Sequence, residues 1–500
     1  MNITLLRPPT VFSKIEIRPN AVPPLGLAYI AGSLHAAGHK VTVVDAVGEG
    51  LDIVSVIPEY PQILRLGLSD DDILALHSSD CDLIGISCMF STEWPQVHSL
   101  ITRIRERFPQ ATLVAGGEHI TSCPEYVLKD CPQLDYCALG EGEQTMLDLA
   151  NTLAAGGDVR QVQGLAFRDD EQKIVRNPRR DRMRDLDQIP PPAWDLFPIG
   201  KYLDHKAMAG VDLGRAIPML ASRGCPFQCT FCSVPKMWGN IWKARDPALV
   251  LAEMKGYMEK YQVTNFDIYD LTMIVKRDWI IQMAQAIIDS HLPITWQLPS
   301  GTRSEILDGE VADLLYRSGC RHIIYAPESG STRMLELIKK KIHKGKMASS
   351  VHQAVETGIV TKANFIVGFP DERIRDVFAS YGFALQLAFA GLHELSFFAF
   401  SPYPGSALFD RLQSENQVSL SDPYFYTLLT NTHSFSTYIP TWSLRIFRIS
   451  GILIFFSASF LLRPWRLWRL FKDLWTGKPH TRLANALLRI KWFPTLSSNK

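Results

Sequence analysis

The first 150 residues alternate short apolar runs with stretches of helical periodicity. Runs with the pattern of buried strands begin at Asn2, Lys40, Cys81, Ala111 and Tyr136. Between the first two runs, apolar residues recur at helical spacing from position 27 to position 34, and a glycine at position 38 is a stop signal. Buried strands separated by helices predict a parallel sheet covered on both faces. This region is therefore expected to form a doubly wound, Rossmann-like α/β domain.

A second alternating series runs from Ala216 to about Pro402. Its strand candidates begin at Ala216, Asn265, Ile294, Arg321, Thr361 and His393. Helical stretches separate them, so the series predicts six βα units that form a whole or partial barrel. The chemistry of such a barrel lies at the carboxyl ends of its strands.

The region between the two series, from about Asp158 to Tyr202, lacks this periodicity. It is rich in charge and then contains three consecutive prolines at 190–192, which cannot continue a helix or a central strand. We interpret it as a connector. The sequence thus predicts a first domain over 1–155, a linker over 156–205, a barrel over 206–415 and a helical C-terminal region over 416–500.

Composition refines this picture in two ways. A chain of 500 residues with 46% apolar and 21% charged residues is globular and too long for one core. Its formal net charge of +1 gives no reason to expect a nucleic-acid partner. The last sixty residues, however, hold eleven Lys or Arg and a single acid, Asp473. That surplus of positive charge indicates a tail with its own role.

Nine cysteines and a start without a basic-then-apolar signal favour a reducing, cytoplasmic setting. The longest uncharged apolar stretch, Ile449 to Leu462, has fourteen residues. A spanning helix needs about 20. The sequence therefore predicts no transmembrane segment.

Three of the cysteines, Cys225, Cys229 and Cys232, follow the first barrel strand with the spacing C-x3-C-x2-C. A structural zinc site would need a fourth ligand, and no histidine lies between Cys225 and His291. In a [4Fe–4S] cube, three thiolates leave one iron open for a substrate or cofactor. Structural zinc and three unrelated buried cysteines are the alternatives.

The spacing, with Phe231 directly before the last cysteine, resembles the radical SAM superfamily. The resemblance implies a [4Fe–4S] cluster whose open iron binds S-adenosylmethionine, from which a 5′-deoxyadenosyl radical is formed. It places Phe231 near the adenine. The resemblance further implies that four residues contact S-adenosylmethionine. They are Glu328 and Ser329 in "PESGS", Gly368 in "VGFPDE" and Asp270 in "IYDLT". The last motif departs from the family pattern, because Tyr269 stands where relatives often have another acid.

Three further motifs, "PPLGLAYIAGSL", "GGEHIT" and "LGEGEQT", together resemble the cobalamin-binding domain of the B12-dependent radical SAM class. The resemblance implies that cobalamin is bound by Gly116, Gly117, His119, Gly140, Glu141 and Gly142. The D-x-H-x-x-G signature is missing, so we expect cobalamin bound without a protein histidine on cobalt. His119 then contacts the corrin periphery or caps a turn. Cys88, Cys123, Cys131 and Cys137 are expected in the core.

The C-terminal region mixes tryptophan with basic residues. Trp465, Trp468 and Trp475 alternate with Arg463, Arg466, Arg469 and Lys472. Tryptophan at interfacial depth with arginine facing lipid phosphates predicts a helix lying in a membrane surface. A helical cap that closes the barrel mouth is the alternative. The chain is then expected in the cytoplasm, peripheral at the inner face of the membrane.

Together the resemblances predict an enzyme that methylates an unactivated carbon of a hydrophobic, lipid- or tetrapyrrole-like substrate. A flavodoxin or ferredoxin would supply electrons. One alternative is a B12-dependent radical oxidative cyclase that resembles the anaerobic Mg-protoporphyrin monomethyl ester cyclase and transfers no methyl group. A non-catalytic Fe–S or zinc-stabilised scaffold is the alternative from another class.

Overall fold

The computed structural model describes residues 1–14, 21–76, 80–205, 210–303, 306–430, 433–477 and 479–489. The chain divides into two compact units. The first unit comprises 1–205, 225–243 and 402–430, and the second comprises 206–224, 244–401 and 431–500. The segment with the three cysteines thus belongs to the first unit. The domain boundaries at 155, 205 and 415 stay predictions.

Helices and strands alternate along the first unit. Its strands are β1 (Asn2–Arg7), β2 (Thr10–Ser13), β3 (Lys40–Asp45), β4 (Val54–Ile57), β5 (Tyr60–Leu66), β6 (Leu83–Ser87), β7 (Thr112–Gly116), β8 (Tyr136–Ala138), β9 (Leu165–Arg168) and β10 (Ile174–Arg176). Its helices are α1 (Leu25–Ala36), α2 (Ala46–Glu49), α3 (Asp70–Leu76), α4 (Trp94–Arg107), α5 (Glu118–Ser122), α6 (Pro124–Asp130), α7 (Gly142–Ala154), α8 (Ile199–Asp204), α9 (Val234–Trp238), α16 (Ala407–Ser414) and α17 (Asp422–Thr430).

The main sheet of this unit has the order β10-β9-β8-β7-β6-β1-β3 within the described residues. The five predicted strands are confirmed as β1, β3, β6, β7 and β8, and their mutual pairings are all parallel. The predicted first helix is confirmed as α1, and Gly38 follows it at φ +86°, a conformation that glycine adopts readily. The carboxyl ends of β6, β7 and β8 share one edge, where the glycine-rich loops lie.

The connector predicted over 156–205 contains two strands that the sequence pattern did not indicate. Strands β9 and β10 form an antiparallel hairpin there, and β9 also pairs antiparallel with β8. Each has only three or four residues, too few to show a periodicity in the sequence. A second sheet, β2-β5-β4, was also missed. Val54 and Val56 are exposed in β4, so the apolar pattern of a buried strand is absent there.

The second unit is a partial barrel. Its strands are β11 (Ala216–Met219), β12 (Ser222–Arg223), β14 (Asn265–Ile268), β15 (Thr295–Thr302), β16 (Cys320–Glu328), β17 (Val360–Val367) and β18 (Glu394–Ala399), and β13 (Lys243–Ala244) stands at its border with the cysteine segment. Its helices are α10 (Pro247–Tyr261), α11 (Arg277–Asp289), α12 (Gly309–Arg317), α13 (Thr332–Leu337), α14 (Lys344–Glu356), α15 (Ile374–Ala390), α18 (Thr441–Leu462), α19 (Trp465–Thr476) and α20 (Arg482–Arg489).

The six predicted barrel strands are confirmed. In the described chain they form a parallel sheet in sequence order, β11-β14-β15-β16-β17-β18, with each strand hydrogen-bonded to the next. Phe365 of β17 packs on Phe383 of α15, and the Tyr325 hydroxyl of β16 meets Ser350 of α14. These residues face the helices, so residues one position away along each strand face the barrel interior.

The sequence predicted no segment long and apolar enough to span a membrane, and helix α18 corrects this prediction. It has 22 residues and a mean hydropathy of 1.7 over its most apolar window, and by length and composition alone it could cross a membrane. The sequence reading stopped at fourteen residues because it required an uncharged run, whereas the helix extends through Arg445 and Arg448. Only 22% of that window is buried.

Candidate active site

All nine cysteines lie within the described residues, and they fall into two groups. Cys225, Cys229 and Cys232 share one loop of the first unit and are partly exposed. Five of the others are buried, and the partly exposed Cys81 contacts backbone oxygens of β1 and β6 through its thiol. The amide of Cys232 donates to the carbonyl of Cys229 at 3.2 Å, which forms a tight turn. The hypothesis of three unrelated buried cysteines therefore does not fit.

The thiols of this loop lie close enough to influence one another. Burial, the largest cause, acts together with the neighbouring Cys229, Glu118 and Cys225 to raise the pKa of Cys232 to about 12. In the described residues no three His, Cys, Asp or Glu side chains stand in metal-ligand geometry. Three neighbouring thiols on one accessible loop nevertheless match the donor set of a cluster with one open iron. Cluster binding would release their protons.

Polar contacts hold this loop to the rest of the first unit. Ser233, the residue before α9, donates to the carboxylate of Glu118 in the "GGEH" motif. Arg182 donates to the carbonyl of Trp238 at 2.5 Å, and its guanidinium lies 5.0 Å from the Trp238 ring centroid. The other side of Arg182 meets Glu141 of the "GEGE" motif at 3.0 Å. The cysteine loop is thus tied to both glycine-rich motifs.

We expect Arg182→Lys to loosen this attachment. An ammonium cannot bond Glu141 and the Trp238 carbonyl in the same fork or stack as a guanidinium does. The loss should destabilise the first unit by about 1–2 kcal/mol. It should also speed the release of iron from the reconstituted cluster to a chelator. Arg160→Lys is the matched control, because Arg160 and its partner Asp170 are largely exposed. Equal iron release from both variants would contradict the positioning role.

The glycines predicted to bind cobalamin occupy the carboxyl edge of the sheet. Gly117 has φ +117°, and a Cβ there would lie 2.4 Å from the carbonyl oxygen of Cys88. Gly140 has φ +76°, and its amide donates a hydrogen bond to the hydroxyl oxygen of Thr121 at 3.0 Å. Gly142 begins α7 directly beside Ile30. Gly116, by contrast, has room for a Cβ. The cobalamin contacts of these residues stay predictions.

Two other residues of the predicted cobalamin set are engaged within the protein. Glu141 accepts from Arg182 and from the amide of Met183 at 2.9 Å. His119 is buried between Trp94 and Phe425, and its Nδ1 pairs with the Ser91 hydroxyl at 2.9 Å. Burial lowers the pKa of His119 to about 3, so the ring is neutral. Direct corrin contact by these side chains stays a prediction, and their observed partners are protein groups.

The "PESGS" motif lies at the carboxyl end of β16 in the second unit. Glu328 is buried at φ +62° and pairs with Lys340 at 2.9 Å. The Ser329 hydroxyl meets Ser380 of α15 at 3.2 Å, and Ser331 caps α13. The motif is therefore a tight strand-to-helix turn whose side chains are held by hydrogen bonds to Lys340, to Ser380 and to the first turn of α13. Lys340 is a partner that the sequence analysis missed, since nothing in its local pattern sets it apart.

The "VGFPDE" motif lies at the end of the next strand. Gly368 has φ +92°, and its amide donates to Glu372 at 2.5 Å. Glu372 is fully buried, and its second oxygen has no hydrogen-bond partner within the described residues. Burial raises the pKa of Glu372 to about 8. A neutral carboxyl group therefore fixes the turn at neutral pH and below.

The raised pKa of Glu372 predicts a pH dependence of stability. The folded protein holds this proton more tightly than the unfolded chain, whose carboxyl titrates near 4.5. The stabilisation of the folded state by the protonated Glu372 is therefore complete below pH 4.5, and it is lost as the pH rises through about 8. At about 1.4 kcal/mol per pKa unit, the loss amounts to a few kcal/mol. Thermal unfolding of apoprotein at pH 5 and pH 9 should therefore differ more for wild type than for Glu372→Gln. Glu310→Gln, at an exposed site, should behave as wild type.

The remaining predicted contacts are Asp270, which follows β14, and Phe231, which lies within the cysteine loop. Asp270, after β14, accepts from the amide of Ala221 at 2.9 Å and the hydroxyl of Ser222 at 2.5 Å. Burial raises the pKa of Asp270 to about 6. Its carboxylate thus fixes the strand end from which the cysteine loop departs. Phe231 is partly exposed beside Cys232. Their contacts with S-adenosylmethionine stay predictions.

Comparison with known proteins agrees with both predicted domains, the cobalamin-binding domain and the radical SAM barrel. Residues 17–150 match the family model of the B12 binding domain, and residues 219–384 match that of the Radical SAM superfamily. Cytidylyl-2-hydroxyethylphosphonate methyltransferase of Streptomyces wedmorensis is 33% identical over 436 residues, which are 81% of this chain and 80% of that protein. The chain belongs to the cobalamin-dependent radical SAM enzymes. Its cofactors are a [4Fe–4S] cluster, S-adenosylmethionine and cobalamin.

Two further similarities extend over most of this radical SAM enzyme. The anaerobic magnesium-protoporphyrin IX monomethyl ester cyclase of Synechocystis is 28% identical over 484 residues, 94% of this chain and 87% of that protein. The structure of the radical S-adenosylmethionine methyltransferase TsrM from Kitasatospora setae superposes with a TM-score of 0.65 at 17% identity, covering 83% of this chain and 76% of that one. The second similarity shows a shared fold. Membership of an enzyme family excludes the non-catalytic scaffold.

Proposed function

We propose that this enzyme methylates an unactivated carbon of a lipid- or tetrapyrrole-like substrate that carries a polar group on an apolar body. The interior face of the barrel supports this proposal. Near the carboxyl ends of β17 and β18 the interior residues are Ile366 and Phe398, and Phe398 is exposed. Further towards the amino ends the interior residues are polar. An apolar rim above a polar floor suits an amphiphile.

The polar floor contains side chains available to a ligand. His322 is 1% exposed, and both its ring nitrogens lack a hydrogen-bond partner within the described residues. The side-chain oxygen of Asn364 is likewise buried and unpaired in the part of the chain that the structure describes. Unpaired buried polar groups cost about 1–3 kcal/mol each, which a substrate's polar group would recover. This is the observation that carries the substrate proposal.

The opposite end of the barrel is occupied by the protein itself. Glu394, the first residue of β18, accepts from the amides of Arg482 and Leu483 at the start of α20. The substrate therefore enters from the carboxyl ends of the strands. Bound cofactors supply a hydrogen-abstracting radical and a methyl group. Glu328 and Gly368, held by Lys340 and Glu372, would orient S-adenosylmethionine, and the barrel walls would keep water from the reacting carbon. A flavodoxin or ferredoxin is the proposed reductant.

Comparative profiling of lipids and pigments in a deletion strain and its parent tests the proposal. A product that is heavier than its precursor by one CH2 unit and disappears in the deletion strain is expected. Purified, anaerobically reconstituted enzyme should form that product with label from methyl-deuterated S-adenosylmethionine. His322→Phe should raise KM for this substrate while leaving uncoupled deoxyadenosine release unchanged. A product without the label would refute methyl transfer.

A second candidate is radical oxidative cyclisation without methyl transfer. The similarity to the Synechocystis cyclase over nearly the whole chain favours it. The same product analysis separates the two reactions, because cyclisation inserts oxygen or removes hydrogen instead of adding CH2. The methyltransferase of Streptomyces has the higher identity, which favours methylation.

A further inference from the structure

Helix α18 carries an apolar stripe on its outer face. Trp442, Ile446, Ile449 and Leu453 are exposed and recur at spacings of three and four residues. This spacing places them on one side of the helix. Apart from Arg445 at its flank, the exposed part of this stripe holds no charge. A stripe of this length on a helix surface indicates an interaction site.

The opposite face of α18 is packed on the barrel. Leu444, Gly451, Phe455 and Ser459 are buried there, and a Cβ on Gly451 would lie 2.5 Å from the ring of Phe397. The Tyr381 hydroxyl of α15 donates to the carbonyl of Phe447 at 2.6 Å. The helix therefore lies along the barrel wall, and its outer stripe is held outward.

Helix α19 also carries exposed aromatic residues. Trp465, Trp468, Phe471 and Trp475 are exposed at helical spacing, with Trp468 and Trp475 at 74% and 80% exposure. Lys472 lies among them and is also exposed. On α15, Phe378 is exposed and contacts Phe447 of α18, so the apolar surface extends onto a third helix. We call the exposed residues of α18 and α19 the aromatic face.

Two arginines that the sequence analysis assigned to lipid phosphates have a different role. Arg463 donates to the carbonyls of Ala388 and Phe389, and Arg466 donates to those of Gly391 and Leu392. These carbonyls lie at the C-terminal end of α15, where a cation is favourable. Burial lowers the pKa of Arg466 to about 10. The two arginines thus dock α19 on the barrel, and they fix which of its sides faces outward.

The exposed charged residues of α18 and α19 are positive. Arg445, Arg469 and Lys472 are exposed. The single acid of the last sixty residues, Asp473, is buried and accepts from His480 at 2.6 Å. Two copies of this surface would bring like charges together, whereas a bilayer with anionic lipids offers both an apolar layer and negative headgroups. Charge complementarity therefore favours a membrane over a second copy.

We propose that the aromatic face binds the surface of an anionic bilayer, with α18 and α19 lying in the interface and not crossing it. The enzyme is then a peripheral protein at the inner face of the membrane. Trp468 and Trp475 enter the headgroup region, and Arg469 and Lys472 reach lipid phosphates. The inference is independent of the proposed substrate, since it concerns the outer surface of the second unit alone.

Sedimentation of the full-length, reconstituted enzyme with vesicles tests the proposal. Binding is expected to phosphatidylcholine vesicles that contain phosphatidylglycerol, and weaker binding to phosphatidylcholine alone. The double variant Trp468→Ser/Trp475→Ser should bind roughly tenfold more weakly or worse. Arg469→Glu/Lys472→Glu should lose most of the preference for anionic vesicles. Leu249→Ser/Leu337→Ser is the matched control, because it removes two other exposed apolar side chains of the second unit.

Three outcomes would overturn the proposal. The first is the absence of binding by wild type to anionic vesicles. The second is a dimer that the tryptophan variant converts to monomer without any vesicle binding, which would show that a second copy covers the face. The third is wild type that stays in the membrane after alkaline carbonate extraction, which would show a spanning helix. Deoxyadenosine release should be equal in all variants, which confirms that they fold.

Discussion

Cys229→Ala is expected to lose the iron–sulfur cluster and deoxyadenosine release together. Cys229 stands between Cys225 and Cys232, and its carbonyl accepts the hydrogen bond that shapes the turn. With only two thiolates the loop cannot hold a four-iron cube while leaving one iron free for S-adenosylmethionine. Iron content, absorbance of the anaerobically reconstituted protein and deoxyadenosine formation after reduction measure the effect, and all three should fall to the level of cluster-free protein.

Cys81→Ala is the matched control for this loss. Cys81 is also partly exposed, but it lies two residues before β6 and contacts backbone oxygens instead of other cysteines. Its variant should keep the full cluster content. Deoxyadenosine formation that persisted in Cys229→Ala would show that the cluster is held elsewhere and would remove the basis of the assignment.

The second large effect is expected for Gly330→Ala in the "PESGS" motif. A Cβ at this position would lie 2.3 Å from the carbonyl oxygen of Ala379 and 2.7 Å from the Cα of Ser380, and neither backbone atom can move aside easily. The clash should cost about 3 kcal/mol or more, because the turn must separate from α15. The separation would also displace Glu328 and Ser329. We therefore expect a lower melting temperature together with weaker binding of S-adenosylmethionine by the reconstituted enzyme.

Gly382→Ala provides the comparison for this substitution. Gly382 lies on α15 itself, and a Cβ there meets no atom within 4 Å. Alanine is the better helix former by about 1 kcal/mol, so this variant should be slightly more stable than wild type. If Gly330→Ala melted like Gly382→Ala, the close contact between the turn and α15 would not exist in solution.

The parallel strands of the two main sheets were predictable from the sequence because they are buried on both faces. Such strands read as continuous apolar runs, and all eleven that showed this pattern are confirmed. The strands that were missed, such as β4 and β10, are short or exposed and gain their stability from pairing with neighbours. Nothing in their local composition marks them, because a hydrogen-bonding partner distant in sequence decides whether they form.

The residues of the candidate site also fall into those that the sequence pattern predicted and those that it did not. The cysteine triplet and the motifs of Glu328 and Gly368 were found because their chemistry requires fixed local spacings. The residues that hold these motifs in place, Arg182 and Lys340, were not predicted, because their partners are distant from them in the sequence.

The amino-acid sequence by itself thus determined the two alternating series, the cluster loop and the surplus of positive charge near the C-terminus, since each depends on neighbours along the chain. Only the tertiary structure decided that Arg466 holds backbone carbonyls while Trp468 faces outward. It also decided that the cysteine loop packs with the first unit, although the barrel strands stand before and after it in the sequence. Such choices depend on which polar groups meet in space, and a one-dimensional pattern does not contain those distances.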